Sequence, residues 1–75
     1  MVILVRYFAI LREQKGVGEE KIHLSETMSV AALYAKLFGC EPNGMRFAIN
    51  EVYVDEGQIV KDGDEVVFLP PLGGG

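Results

Sequence analysis

Cysteine and histidine are almost missing from this sequence: it has one of each, Cys40 and His23, and no tryptophan. A lone cysteine closes no internal disulfide, and one Cys with one His cannot build a structural zinc site. Metal ligands are accordingly not expected. Basic residues are also scarce, 7 Lys and Arg against 11 Asp and Glu, a net charge of −4. Phosphate recognition needs a basic face, so the balance speaks against nucleic acid as a partner and suits docking onto a basic protein surface. No apolar run approaches the roughly 18 residues of a membrane span, and no charged segment followed by an apolar one reads as a signal peptide. The expectation is a cytoplasmic protein with a free thiol and no membrane association. Repeats and linkers are absent, and no nucleophile stands near a base in a catalytic spacing.

What is present is apolar material, 49% of 75 residues, enough for one small domain over residues 1–75 that rests on its core alone. Val2 to Phe8 (VILVRYF) reads as a largely buried strand. Ala9 to Lys15 reads as one or two helical turns ended by Gly16, and Glu20 to Leu24 alternates with Ile22 and Leu24 on one face. Ser29 is an N-cap candidate for the main helix, with Val30, Leu33 and Leu37 at i, i+3 and i+7, and Gly39 just past its end. Met45 to Asn50 alternates again, with Phe47 and Ile49 together. Asn50-Glu51 turns the chain into Val52 to Val54, and Gly57 to Val60 reads as a one-turn connection. Glu65 to Leu69 (EVVFL) is apolar on both faces and reads as a central strand beside the first one. This order suggests an α+β fold, a mixed sheet of roughly five strands with one main helix on one face, of the β-grasp (ubiquitin-like) kind among other α+β options.

The C-terminus is the unusual part. The last strand leads into Pro70-Pro71, then Leu72, then Gly73, Gly74 and Gly75. Prolines end a strand and hold the exit extended. Residues 70–75 therefore read as a flexible tail: an arm with an apolar anchor at Leu72 and a tip without side chains, thin enough to thread a narrow channel. The unhindered Gly75 carboxylate is the candidate reactive group, open to activation by ATP as an acyl adenylate. Ordering each tail residue on docking costs about 1–2 kcal/mol of backbone freedom, so a hydrophobic patch on the domain should supply the affinity. Chain ends are often simply loose and glycine-rich. What distinguishes this one is that the glycines follow a strand and two prolines directly, with no polar spacer.

Other residues invite plainer readings. Cys40 is read as an ordinary thiol at a helix end, beside Glu41. His23 falls on the polar face of its strand. Arg12-Glu13 is a solvated helix pair. Asp62, Asp64 and Glu65 are turn residues, too few for a calcium loop. Phe8, Phe47, Tyr53, Phe68 and Leu69 are the aromatic and apolar candidates for an interface, with Phe47 assigned to the core.

The ending GDEVVFLPPLGGG (Gly63 to Gly75) resembles that of the molybdopterin synthase small subunits, the MoaD-type sulfur carriers of the ubiquitin-like β-grasp group. RYFAILREQKG (Arg6 to Gly16) and FAINEVYV (Phe47 to Val54) resemble further segments of the same family, in collinear order. The chain departs from the family mildly, at Leu69, Leu72 and Gly73. The resemblance implies a β-grasp without a bound cofactor. An E1-like adenylating enzyme would use ATP to activate Gly75, and a sulfur donor would convert it to a thiocarboxylate. The tail, Pro70, Pro71, Leu72, Gly73 and Gly74, would insert into the large subunit of molybdopterin synthase in a heterotetramer and deliver sulfur to a pterin precursor. Catalytic side chains would lie in the partner. Phe8, Tyr53 and Leu69 are the expected partner interface, in part because they match interface positions of the family. Thiamin-type sulfur carriers and ubiquitin-like modifiers, which are conjugated to lysines, share the fold and the Gly-Gly end and remain alternatives.

Overall fold

The computed structural model describes residues 1–71. Its first strand, β1 (Val2–Tyr7), alternates strictly, burying Ile3, Val5 and Tyr7 against the core. Ala9 then reverses the chain at φ 53° and caps a short helix, α1 (Ile10–Lys15), which buries only Leu11. Strand β2 (Glu19–His23) returns antiparallel to β1. A two-residue strand, β3 (Met28–Ser29), precedes the main helix, α2 (Val30–Phe38). Strands β4 (Arg46–Ile49), β5 (Val52–Val54), β6 (Ile59–Val60) and β7 (Glu65–Leu69) complete the chain.

Helix α2 starts and stops for local reasons. The Ser29 hydroxyl accepts the Ala32 N–H at 3.1 Å, satisfying one of the first-turn donors. Gly39 sits at φ 74° and its N–H reaches the Ala35 carbonyl, the left-handed C-cap that only glycine adopts freely. Between these caps Val30, Leu33 and Tyr34 face the sheet and are buried.

Five strands form one mixed sheet in the order β2-β1-β7-β4-β5. The first and last strands lie side by side in the centre and run parallel, Val5 opposite Val66 and Tyr7 opposite Phe68. All other pairs are antiparallel. The core is one cluster on the helix side, in which Tyr7, Tyr34, Phe38, Phe47 and Phe68 pack edge-to-face or stacked. Tyr34 stacks on Phe38 at a 4.6 Å centroid distance. Such pairs add about 0.5–1.5 kcal/mol to the burial of their area. The Lys15 ammonium closes one side, over the Phe38 ring at 4.9 Å and donating to the Leu37 carbonyl at 2.7 Å.

The β-grasp expected from the sequence is the fold observed, with the helix on one face and β1 beside β7. Two details differ. The segment expected to be a one-turn connection carries β6, which pairs with β3 as a separate two-stranded ribbon, Met28 opposite Val60. Two-residue strands whose partners lie some thirty positions away have no periodicity to read. The first helix begins at Ile10, because Ala9 takes a left-handed rather than a helical φ. Asp62 and Asp64 are turn residues, but bonded ones: Asp62 accepts the Val2 N–H, and Asp64 accepts the Lys61 N–H and the Asn50 amide. Among the described residues no helix is long and apolar enough to cross a membrane.

Candidate functional site at the root of the tail

The alternation that buries one face of the sheet dictates what stands on the other. Tyr7, Phe47 and Phe68 point into the core, so their neighbours Phe8, Arg46 and Leu69 point away from helix α2. Tyr53 lies opposite Ala48, on this same outer face. The strand order brings these positions together, because β1, β7, β4 and β5 are successive neighbours. Phe8 lies at the end of β1, Leu69 at the end of β7, and Arg46 is in register with Leu69.

The result is an open groove of about 680 Å³ walled by Phe8, Arg46, Tyr53, Leu69, Pro70 and Pro71. Phe8 is 42% and Tyr53 69% exposed, large values for aromatic rings in a domain with so small a core. Leu69 and Pro70 are half-buried, and Pro71 is exposed. The three side chains expected to form the interface, Phe8, Tyr53 and Leu69, thus line one groove with the two prolines of the tail. Phe68, also an interface candidate, is fully buried, and Phe47 is buried as expected. Leu72, Gly73, Gly74 and Gly75 lie outside the described residues.

The sequence reading missed three contributors. Among the described residues Arg46 supplies the one charged side chain of the groove wall. The alternation of β4 with Phe47 inward already implied that Arg46 faces outward. Ala9 and Gly44 complete the wall. Ala9 holds φ 53° and ψ −128°, a backbone conformation that costs a residue with a Cβ about 1–3 kcal/mol. Gly44 holds φ 75°, and a Cβ there would stand 3.7 Å from Pro71, so the loop before β4 packs closely on the point where the chain leaves the sheet. Ala9 has no signature in the sequence around it, whereas Gly44 closes the turn-rich stretch Cys40 to Gly44 (CEPNG), where a positive φ at glycine is expected.

Chemically the groove can bind and orient, but its lining among the described residues includes no carboxylate, histidine, cysteine, serine or lysine. His23 is exposed on β2, at the opposite edge of the sheet from β5. Cys40 is exposed beyond the end of α2. Among the described residues no group of His, Cys, Asp and Glu could hold a metal ion. The phenol of Tyr7 is pushed well above its ordinary pKa of 10.0 by burial and by the Glu20 carboxylate, to which it donates at 2.5 Å. It lies on the core side and serves the fold. Burial also raises the Tyr34 phenol.

Residues 5–75 match the model of the ThiS family. The molybdopterin synthase sulfur carrier subunit of Chlamydomonas reinhardtii is 39% identical, with all of both chains covered. The human protein of that name is 30% identical over 95% of this chain and 91% of its own. Among solved structures, a putative molybdopterin converting factor subunit 1 from Pyrococcus furiosus superposes with a TM-score of 0.78 at 29% identity, covering 96% of this chain and 99% of that one. Subunit 1 in a complex of subunits 1 and 2 of molybdopterin-converting factor from Helicobacter pylori gives 0.66 at 27%, with both chains fully covered. Sequence match, β-grasp topology and a groove at the root of a Gly-Gly tail agree, and the chain belongs to the ThiS family, among its MoaD-type ubiquitin-like sulfur carriers.

Proposed function

We propose that this protein is the sulfur-carrying small subunit of a molybdopterin synthase, acting in molybdenum cofactor biosynthesis. The observation that carries the reading is the groove itself. The exposed Phe8, Tyr53 and Leu69 converge where Pro70 and Pro71 lead the chain out of the sheet. A partner seated there takes hold of the domain at the base of the tail, and the remaining residues reach into the partner's own active site. The name of the relatives from alga and human, and the two-subunit assembly from Helicobacter pylori, point the same way.

The chemistry starts at the Gly75 carboxylate. An E1-like adenylating enzyme transfers AMP to it from ATP and releases pyrophosphate. A sulfur nucleophile at the sulfide level, with no carbon or second sulfur left attached, attacks the acyl carbon, and AMP leaves, giving the thiocarboxylate. In the large subunit the thiocarboxylate sulfur attacks a carbon of the pterin precursor and displaces an oxygen leaving group from it, joining tail and precursor through a thioester. Water then cleaves the acyl–sulfur bond, restoring the Gly75 carboxylate and leaving sulfur on the pterin. A dithiolene holds two sulfurs, so each product consumes two loaded tails, in keeping with a heterotetramer that carries a small subunit at each of two sites. The chain performs no catalysis alone; it is carrier and substrate.

The test is intact mass spectrometry after incubation with ATP, the matched adenylating enzyme and a sulfur source. The expected result is a gain equal to exchanging one oxygen for sulfur, localised to Gly75. Deleting Gly75, or adding one residue after it, should abolish the gain while the fold survives. No gain with an active enzyme, or adducts joining Gly75 to lysines of other proteins, would replace this reading with that of a protein modifier.

A further inference from the structure

Arginine occurs twice on the outer face of the sheet with opposite circumstances. Arg6, on β1, is held by Glu19 at 3.8 Å and by Glu65 at 3.6 Å, and these are the ion pairs found among the described residues. Arg46, at the first position of β4, has no ion pair among the described residues, although Asp55 and Glu56, just past the end of β5, line a neighbouring cavity with it. Its neighbours in the groove are Phe8, Tyr53, Leu69 and the two prolines. An exposed guanidinium with no ion pair among the described residues, bordering apolar walls on its groove side and Asp55 and Glu56 on the other, on a chain of net charge −4, is a feature of local field rather than of bulk charge. Once a partner excludes water from the groove, the charge must be matched, because a desolvated unpaired cation is costly.

We infer that Arg46 is the specificity-determining charge of the docking groove, and that it receives a carboxylate which the partner protein presents between apolar side chains. This rests on the proposed function and adds the chemistry of the recognised surface. A partner that is basic overall, as suits an acidic carrier, has to place one acid opposite Arg46. That single reversal fixes the register in which the tail enters, and it rejects basic surfaces that lack the acid. The planar fork of arginine matches a carboxylate in two parallel hydrogen bonds, which adds direction to attraction.

Calorimetric titration of the full-length protein against the large synthase subunit of the same organism tests this. Arg46→Met should weaken binding roughly tenfold or more and flatten its dependence on salt, with unchanged melting, because the side chain is exposed. Arg46→Lys should keep most of the affinity. The same pair of titrations with Gly75 as its carboxamide separates the partner's carboxylate from this chain's own. A loss that persists assigns the acid to the partner; one that vanishes assigns it to the C-terminus and overturns the inference. Wild-type binding that Arg46→Met leaves intact overturns the inference and leaves the proposed function standing. Absence of wild-type binding overturns both.

Discussion

The two faces of the five-stranded sheet are written by the same residues one position apart, and they do opposite work. On the inner face Tyr7, Phe47 and Phe68 pack against α2 and lose nearly all contact with solvent. On the outer face Phe8, Tyr53 and Leu69 stand beside them in sequence or register and stay in reach of a partner. On the proposed function stability resides on one face and recognition on the other, so substitutions on either should report on one property alone. A small domain gains little margin from this division. At about 0.05–0.15 kcal/mol per residue its total stability is only roughly 4–11 kcal/mol.

The sharpest way to break the comparison is Phe68→Ala. Phe68 is fully buried and meets Tyr7, Tyr34, Phe38 and Phe47. Removing the ring should cost about 3–5 kcal/mol, a large share of that total. Denaturant titration followed by circular dichroism reads this directly. A loss below about 1 kcal/mol would mean that the core repacks, and that the inner face is less decisive than its burial suggests.

Tyr53→Ala is the counterpart on the outer face. Its side chain stands largely in solvent, so unfolding free energy should move by no more than about 0.5 kcal/mol. Affinity for the large subunit should fall by about 2 kcal/mol, since tyrosines at the centre of an interface often dominate binding. Titration calorimetry and thermal melting of one sample measure both. A variant that melts early yet binds normally would reverse the assignment of the two faces.

The elements were largely legible in the sequence, the division between faces only in part. Period-two alternation in MRFAIN states which of its residues share a face, the apolar runs VILVRYF and EVVFL mark strands without telling their two faces apart, and Gly39 and Ser29 mark the helix ends by their own chemistry. The apolar character of the first and last strands placed them together at the centre, as observed. The root of the tail was legible because Pro70-Pro71 can only end a strand. What stayed hidden depends on long-range closure. The β3–β6 ribbon is two residues on each side, and the turn at Ala9 uses a φ that an alanine does not advertise. Arg46 was readable from alternation as an outward residue, but its lack of an ion partner follows only from where Glu19 and Glu65 fall around Arg6.

A pH experiment sharpens the inner half of the comparison. The Tyr7 phenol is raised above 10.0 in the folded state by burial and by Glu20. Below pH 10 both folded and unfolded chains keep the proton, and the contribution is complete. Above it the unfolded chain ionises first, so stability falls as pH climbs toward the folded value. Tyr7→Phe should cost about 1 kcal/mol at neutral pH, through the lost hydrogen bond to Glu20, and should flatten the alkaline decline. Melting curves between neutral pH and the alkaline range decide it; an equally steep decline in the variant would point to other groups.

The smallest expected effect tests whether the outer face can be stiffened without harm to the inner one. Asn50 and Glu51 form the two-residue turn between β4 and β5, with Ile49 opposite Val52 and φ of 53° and 71°. Two positive φ values are the requirement of the hairpin turn that matches strand twist, in which asparagine followed by glycine is preferred. Asn50 also secures the neighbouring turn, accepting the Glu65 N–H and donating to Asp64, so it should be kept. Glu51 is exposed and strained. Glu51→Gly relieves a left-handed conformation that glycine adopts freely, at the cost of a looser unfolded chain, for a net gain of about 0.5 kcal/mol. The hairpin it closes carries Tyr53, so a higher melting temperature with unchanged affinity for the large subunit is the expected pairing. A gain in stability accompanied by weaker binding would mean that β5 must shift to receive its partner, and that the outer face, unlike the inner, works by yielding.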